Sequence, residues 1–318
     1  MSANAPPPAR LPHAHRRRAD EAAGALVLIG GNCSPMGEAL GRFIDAARGR
    51  DGGCIVGFTT ASGDPVGAAR AWRRDFARAG ATHVEFPIVD RRTFAQDERL
   101  AALIRGADGI FLGGGDQVHL MATIGGSAMA RAIRDAHAAG TPVCGTSAGA
   151  AALTETILAN GEPDELGQQQ DMYMGPGLGL LGFHTMIDTH FAERRRLHRL
   201  FLAVARNPEL LGLGIDEDTA LVVRGRLGEV VGAGGVTFVD GRTIHYDTAN
   251  EVRTTDAKLT LSYMRVGLVG AGHVLDLRER ELAIVVEERK APNAVPMLDA
   301  ALEADADAVD DAAIGPAP

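Results

Sequence analysis

Apolar runs alternate with amphipathic stretches through the first half of the chain. In the amphipathic stretches, apolar residues recur at intervals of three and four, as Leu40, Phe43 and Ile44 do and as Trp72 and Phe76 do again. The intervening runs are short and almost continuously apolar, which is typical of strands buried on both faces. They cover residues 25–30, 54–59, 83–89, 109–112 and 142–145. This alternation predicts an α/β fold in which a mostly parallel sheet is flanked by helices.

Short β-rich runs separated by turns replace this alternation beyond residue 220. Val230–Val231, Val236–Phe238 and Leu259–Met264 are apolar, and Asp240-Gly241 is a turn signal. We expect these runs to add short strands to the same domain in the C-terminal third of the chain.

The two ends of the chain differ in composition from the middle. Residues 1–23 are rich in proline, alanine and arginine, and residues 291–318 are alanine and acid without a hydrophobic period, so both are predicted to be disordered. The folded domain is therefore expected to span residues 24–290. No apolar h-region follows Arg16–Arg18, because the short run at 25–29 is better explained as the first strand, so no export signal is predicted. No run of eighteen apolar residues predicts a membrane span.

Charge and cysteine usage narrow the class of protein. The 318 residues carry a net charge of −9, which favours solubility and argues against nucleic acid as a partner. Three cysteines do not provide a disulfide framework, which favours a reducing compartment and a cytoplasmic location.

The segment Gly145–Gly149, with the sequence GTSAG, lies between an apolar strand-like run and an alanine-rich helix-like run. Small residues on both sides allow a sharp, strained strand-to-helix turn that exposes the oxygen of Ser147. The segment therefore predicts a nucleophile elbow.

A nucleophilic serine needs a base and a group that orients the base. His190 follows a strand-like run and precedes an arginine-rich segment that is predicted to form a helix, and Asp216–Asp218 is an acidic turn between two apolar runs. The sequence predicts a triad of Ser147, His190 and Glu217, with Asp216 and Asp218 as alternative acids. The order serine, histidine, acid argues against the α/β-hydrolase fold, in which the acid precedes the histidine.

Gly113–Gly115 follows the apolar run 110–112, at the end of a predicted strand where the backbone approaches a ligand. Backbone N–H groups of Gly114 and Gly115, together with that of Ala148, are predicted to form the oxyanion hole.

Four motifs in fixed order resemble the cyanophycinases, serine peptidases related to aspartyl dipeptidases and class I glutamine amidotransferases. The motifs are Gly113–Gln117, Gly145–Ala150, Asp188–Phe191 with the arginines that follow it, and Gly214–Glu217. The resemblance covers about residues 24–290 and implies a class I glutamine amidotransferase-like fold. It also implies that Ser147 is the nucleophile, His190 the base and Glu217 the acid that orients the imidazole. A homodimer and the absence of a cofactor are further implications of the resemblance.

The substrate that the resemblance implies is cyanophycin, a polyaspartate backbone with arginine joined to each β-carboxyl. Family members release β-aspartyl-arginine dipeptides. Six positions match those associated with substrate binding or pocket structure: Gln117, Asp188, Thr189, Arg194, Arg196 and Arg199. The chain departs from the family at Thr189, where many members have glutamine, at Arg195 and His198, and in the loop Gly31–Ser34.

Two alternative roles compete with the triad, metal binding by the strand that ends at His190 and nucleophilic attack by Cys144. His184, Met186, Asp188 and His190 share one side of an extended strand, but no zinc-binding motif accompanies them, and no metal site is predicted. The apolar surroundings of Cys144 predict a buried structural thiol.

Three other functions compete with cyanophycin hydrolysis. A dipeptidase of the same fold would cleave aspartyl or isoaspartyl dipeptides. An amidotransferase-like hydrolase is disfavoured because its elbow carries cysteine where this chain has Ser147. A binding homologue without catalysis would keep the fold alone.

Overall fold

The computed structural model describes residues 23–160, 172–251 and 259–283. Apart from Ala23, the predicted disordered segments 1–23 and 291–318 lie outside the described residues. The expected domain of residues 24–290 is described up to residue 283, and these residues fall within one compact unit.

The described strands and helices follow the predicted alternation up to residue 152. The strands are β1 (Leu26–Ile29), β2 (Cys54–Phe58), β3 (His83–Glu85), β4 (Gly109–Leu112), β5 (Val143–Thr146), β6 (Thr156–Asn160), β7 (Tyr173–Pro176), β8 (Thr185–Thr189), β9 (Leu211–Ile215), β10 (Thr219–Arg224), β11 (Leu227–Gly232), β12 (Gly235–Asp240), β13 (Tyr246–Asp247), β14 (Leu261–Ser262), β15 (Arg265–Gly270), β16 (Val274–Asp276) and β17 (Glu281–Ala283). The helices are α1 (Glu38–Ala46), α2 (Pro65–Arg78), α3 (Arg92–Ala95), α4 (Glu98–Arg105), α5 (Gln117–Ile124), α6 (Ala128–Ala138), α7 (Ala148–Ala152) and α8 (Leu197–Arg206), with a 3₁₀ turn at Gly49–Asp51.

The main sheet has the strand order β17-β16-β11-β10-β1-β5-β4-β2-β3. The strands β1 to β5 are parallel to one another, and helices cover both of their faces. Successive residues of β1 point to opposite faces: Val27 and Ile29 pack with α1 and α2, and Leu26 and Leu28 pack with α4 and α6. The predicted α/β class is confirmed.

Of the predicted runs, Val230–Val231 lies in β11 and Val236–Phe238 in β12, whereas Leu259–Met264 contains only the short β14, which pairs with β13 in a separate two-stranded sheet. β10, β11, β16 and β17 extend the main sheet with antiparallel pairing next to β1. β12 and β15 join a second sheet of order β15-β12-β9-β8, in which β8 and β9 are parallel. Leu200 and Val204 of α8 pack against one face of this sheet through Met186 and Val239.

Two predicted elements differ from the structure. The strand expected over 83–89 ends at Glu85, because Pro87 has no N–H to donate to a neighbouring strand. Arg194, Arg195 and Arg196 precede α8 in a series of turns and do not lie within a helix that starts at His190. Arg195 has a φ of 53°, which an α-helix does not accept.

Among the residues that the structure describes, no helix combines the length and the apolar character needed to cross a bilayer.

Candidate active site

Ser147 occupies the predicted turn between β5 and α7. Its φ of 52° and ψ of −119° are strained for a residue with a side chain. Its N–H donates to the carbonyl of Ile29 on the neighbouring strand, at 2.9 Å. A Cβ at Gly149 would lie 2.1 Å from the carbonyl oxygen of Leu112, so the turn requires glycine there. The tight packing of this turn against two strands holds the serine oxygen at the carboxyl edge of the sheet.

Ser147, His190 and Glu217 form a continuous chain of side-chain contacts. Ser147 Oγ lies 2.9 Å from His190 Nε2, and His190 Nδ1 lies 2.6 Å from Glu217 Oε1. The topology explains the contact between histidine and acid, because Thr189 of β8 and Ile215 of β9 are paired residues of parallel strands. The segments that follow these two residues leave the same edge of the second sheet. The arrangement matches the geometry in which a base withdraws a proton from a serine and an acid orients the base.

The two alternative acids hold loops in place. Asp216 accepts the N–H of Ala192 at 3.0 Å through one oxygen and the N–H of Gly235 at 2.9 Å through the other. Asp218 accepts the N–H of Ser34 at 2.8 Å. Of the three acids that the sequence left open, Glu217 is the one that contacts His190.

The pKa of Glu217 is lowered by its hydrogen bond with His190 and, next, by a bond from Asn32. Asn32 Nδ2 donates to Glu217 Oε2 at 2.8 Å. The positive charge of Arg194 acts in the same direction. The carboxylate therefore stays ionised and suits the stabilisation of a positively charged imidazole.

Sequence reasoning missed the contact made by Asn32. The available signal was its place directly after Gly30-Gly31 at the end of a strand, where a left-handed backbone is common. Asn32 has a φ of 42°, a conformation that asparagine tolerates better than most residues.

The glycine loop after β4 lies beside Ser147. A Cβ at Gly114 would lie 3.1 Å from that of Ser147. The N–H of Gly113 donates to Phe58 and that of Asp116 donates to Ala61, each at 2.8 Å. Gly114 and Gly115 lie between these two anchored amides, and Ala148 follows the serine. An oxyanion hole at these three residues stays a prediction.

A cavity of about 770 Å³ opens over Ser147 and His190. Its wall includes Trp72 of α2, which lies beside the glycine loop, and Asn32. Five charged residues line it: Asp116, Asp188, Arg194, Arg196 and Arg199. Three arginines against two aspartates give the lining an excess of positive charge, although the chain has a net charge of −9. Arg194 is the exposed arginine of this lining and suits a ligand that carries a carboxylate.

All six predicted substrate-binding residues line this cavity, but most are tied to the protein itself. Asp188 is 1% exposed, and its carboxylate accepts hydrogen bonds from Arg199 Nε at 2.8 Å and from Arg196 Nη1 at 3.2 Å. Arg196 also donates to the carbonyl of Thr189 at 2.7 Å. Gln117 Nε2 donates to the carbonyl of Leu158, at 2.7 Å. Arg194 is exposed at the cavity.

The alternate residues His184, Met186, Asp188 and His190 do not form a metal cluster. The carboxylate of Asp188 is hydrogen-bonded to arginines, and the imidazole of His190 is hydrogen-bonded to Ser147 and Glu217. A different set, Cys54, His83 and Glu85, brings ligand atoms within 4.8 Å of one another. Cys54 starts β2 and His83 starts β3, at the edge of the sheet opposite Ser147, and Glu85 ends the three-residue β3. The exposed side chains of His83 and Glu85 contact each other at 3.3 Å.

The cysteines near the site are unsuited to nucleophilic attack. Cys144 is fully buried, as predicted, and burial raises its pKa. Burial also raises the pKa of Cys33, to about 12. Neither thiol ionises readily at neutral pH, which leaves Ser147 as the nucleophile that this geometry favours.

Comparison with known proteins gives consistent results. Residues 60–231 match the model of peptidase family S51. The cyanophycinase of Synechococcus elongatus is 32% identical over 247 residues, covering 76% of this chain and 75% of that protein. The cyanophycinase of Trichormus variabilis is 31% identical over 259 residues, covering 80% and 86%. The crystal structure of a peptidase from an acI-B1 actinobacterium shares the fold, with a TM-score of 0.58 at 20% identity, over 81% of this chain and 98% of that one.

Proposed function

The chain belongs to peptidase family S51 and is a serine peptidase, and we propose that it hydrolyses cyanophycin through Ser147, His190 and Glu217. The observation that carries this proposal is the unbroken contact chain from Ser147 Oγ through the imidazole to the Glu217 carboxylate.

The reaction begins when His190 Nε2 takes the proton of Ser147 and Oγ attacks the carbonyl carbon of the peptide bond. Glu217 keeps Nδ1 of the imidazole directed toward itself and stabilises the charge that the ring gains. Backbone N–H groups of the glycine loop and of Ala148 bind the oxyanion.

The bond to the leaving amine then breaks as the imidazolium returns its proton to that nitrogen. An acyl-enzyme on Ser147 remains. Water, deprotonated by the same imidazole, attacks the ester and releases the acid product, and the proton returns to Ser147. The steps consume one water for each bond cleaved and need no cofactor.

Two observations support cyanophycin as the substrate. The relatives named cyanophycinase match about three quarters of the chain. Two exposed charged residues of opposite sign, Arg194 and Asp116, line the cavity. Each arginine of cyanophycin is attached through its α-amino group and so displays a free carboxylate and a free guanidinium, which arginine and aspartate side chains bind.

The test is hydrolysis of purified insoluble cyanophycin by the intact protein, with products identified by mass spectrometry. Ser147→Ala is measured in parallel, and Ser262→Ala, which changes a serine of β14 away from the cavity, is the matched control. We expect β-aspartyl-arginine from the intact protein and the control, and a loss of about 10⁴-fold or more in Ser147→Ala.

Cleavage of aspartyl or isoaspartyl dipeptides without cleavage of the polymer would instead identify a dipeptidase of the same fold. Full activity of Ser147→Ala would overturn the assignment of the nucleophile. Homodimerisation stays a prediction, which sedimentation velocity checks.

A further inference from the structure

The loop that follows β1 encloses the imidazole of His190. The carbonyl of Gly30 accepts the N–H of His190 at 2.7 Å, and the carbonyl of Gly31 accepts the N–H of Asp218 at 3.0 Å. Gly31 has a φ of 115°, and a Cβ there would lie 2.2 Å from Cε1 of the His190 ring. The backbone of this loop therefore touches the ring and also ties down the acidic turn that carries Glu217.

The exposed side chain of Asn32 adds a further contact from this loop. Its Nδ2 donates to Oε2 of Glu217 at 2.8 Å, while Oε1 of the same carboxylate faces His190 Nδ1 at 2.6 Å. One oxygen is thus held by a neutral amide and the other by the imidazole. A carboxylate with a donor on each oxygen has little freedom to rotate away from the ring.

We propose that Asn32 is a positioning residue for the peptidase reaction, whose amide fixes the Glu217 carboxylate in the orientation that serves His190. The proposal rests on the proposed triad.

An uncharged donor is the chemical type that this position needs. An aspartate at position 32 would put a second carboxylate against Glu217, repel it and favour the protonated imidazole. A leucine of similar size would leave Oε2 without its amide donor. Arg194, whose charge lowers the pKa of Glu217, and Glu193, whose Oε2 accepts the backbone N–H of Glu217 at 3.2 Å, are unchanged in both variants.

The test compares Asn32→Asp and Asn32→Leu with the intact protein, using kcat and KM on cyanophycin from pH 5 to 9. The matched control is Asn250→Asp, an exposed asparagine in a turn outside the cavity. We expect kcat to fall about 10- to 100-fold in both variants, with KM within about twofold. In Asn32→Asp we expect the acid limb of the kcat/KM profile to move to higher pH, because the added carboxylate favours the protonated form of His190 and a higher pH is then needed to remove that proton. Asn32→Leu adds no charge, so a fall in its kcat with KM and melting temperature kept reports the missing amide donor, whereas the shift of the limb in Asn32→Asp reports the charge placed beside Glu217.

The rate at which a fluorophosphonate labels Ser147 is the second readout, since it needs no knowledge of the natural substrate. We expect slower labelling in both variants, with the same displacement along the pH axis in Asn32→Asp. Melting temperatures close to that of the intact protein show that the variants fold.

The outcomes separate the two proposals. If the intact protein is labelled at Ser147 and the Asn32 variants keep its rates and pH profile, the role of Asn32 is wrong and the triad stands. If Ser147 is neither labelled nor needed for hydrolysis, the triad is wrong, and the role of Asn32 is wrong with it.

Discussion

The ionised Glu217 carboxylate stabilises the folded protein, because it accepts hydrogen bonds from His190 and Asn32 that the unfolded chain lacks. Its pKa is lowered by His190 and by Asn32, so folding is favoured by its ionisation at any pH above the ordinary glutamate value. This contribution is lost as the pH falls through the lowered pKa of the folded protein. The triad therefore adds to stability at neutral pH and ceases to do so in acid.

Glu217→Gln tests this dependence. We expect its melting temperature to lie furthest below that of the intact protein at neutral pH, with the difference shrinking as the pH falls below about 4. Glu98→Gln, which changes a glutamate with 74% exposure, is the control and should show little difference at any pH. A constant difference between pH 7 and pH 3 for Glu217→Gln would contradict the expectation. The variant should also lose about 10⁴-fold in kcat at neutral pH.

Local sequence was sufficient to identify Ser147 and His190 as candidates, because each stands in a short segment whose neighbours predict a strand end. It was insufficient for Asn32, which lies 185 positions from the residue it contacts. It was also insufficient to choose among Asp216, Glu217 and Asp218. Only the path of the turn after β9 decides which of these three adjacent carboxylates faces the histidine.

The side chain of Asp188, near the end of β8, forms ion pairs with arginines at the start of α8. The strand supplies a carboxylate that is 1% exposed, and the segment entering the helix supplies Arg196, followed by Arg199 one turn later. Their spacing of three residues places both guanidinium groups on the side that faces the strand. This cluster fixes the strand end that carries His190.

Asp188→Ala removes the shared carboxylate from two buried arginines. We expect a loss of about 3–5 kcal/mol in the free energy of unfolding, measured by urea denaturation. The control, Asp45→Ala, removes an exposed carboxylate that pairs with Arg50, and should cost less than about 1 kcal/mol. Equal losses in the two variants would show that the buried cluster does not contribute to stability in this way.

The misplaced helix start has its cause in the same cluster. A run of three arginines after His190 is compatible with a helix by local preference, whereas the structure turns the chain at Arg195 so that Arg196 reaches Asp188. Local patterns carry no information about such a partner. The shortening of β3 was, by contrast, readable from Pro87 alone.

The two sheets assemble the candidate site jointly. Ser147 and the loop of Asn32 leave the main sheet after β5 and β1, whereas His190 and Glu217 leave the second sheet after β8 and β9. The alternation of strand and helix predicted the parallel part of the main sheet, because each βα unit is specified locally. The pairing of the later strands was not predicted. Short antiparallel strands such as β12 and β15 choose partners through contacts distant in sequence.

Trp72 gives the molecule an optical property. It is the one tryptophan of the chain, and its indole packs 4.6 Å from the Phe111 ring while lining the cavity. Indole emission depends on nearby polarity and on quenching groups, so the protein's ultraviolet fluorescence comes mainly from the wall of the pocket. We expect titration of Ser147→Ala with β-aspartyl-arginine to shift or quench this emission in a saturable manner, whereas Trp72→Phe should give no such signal. Occupancy of the pocket can then be followed in real time without a chemical label.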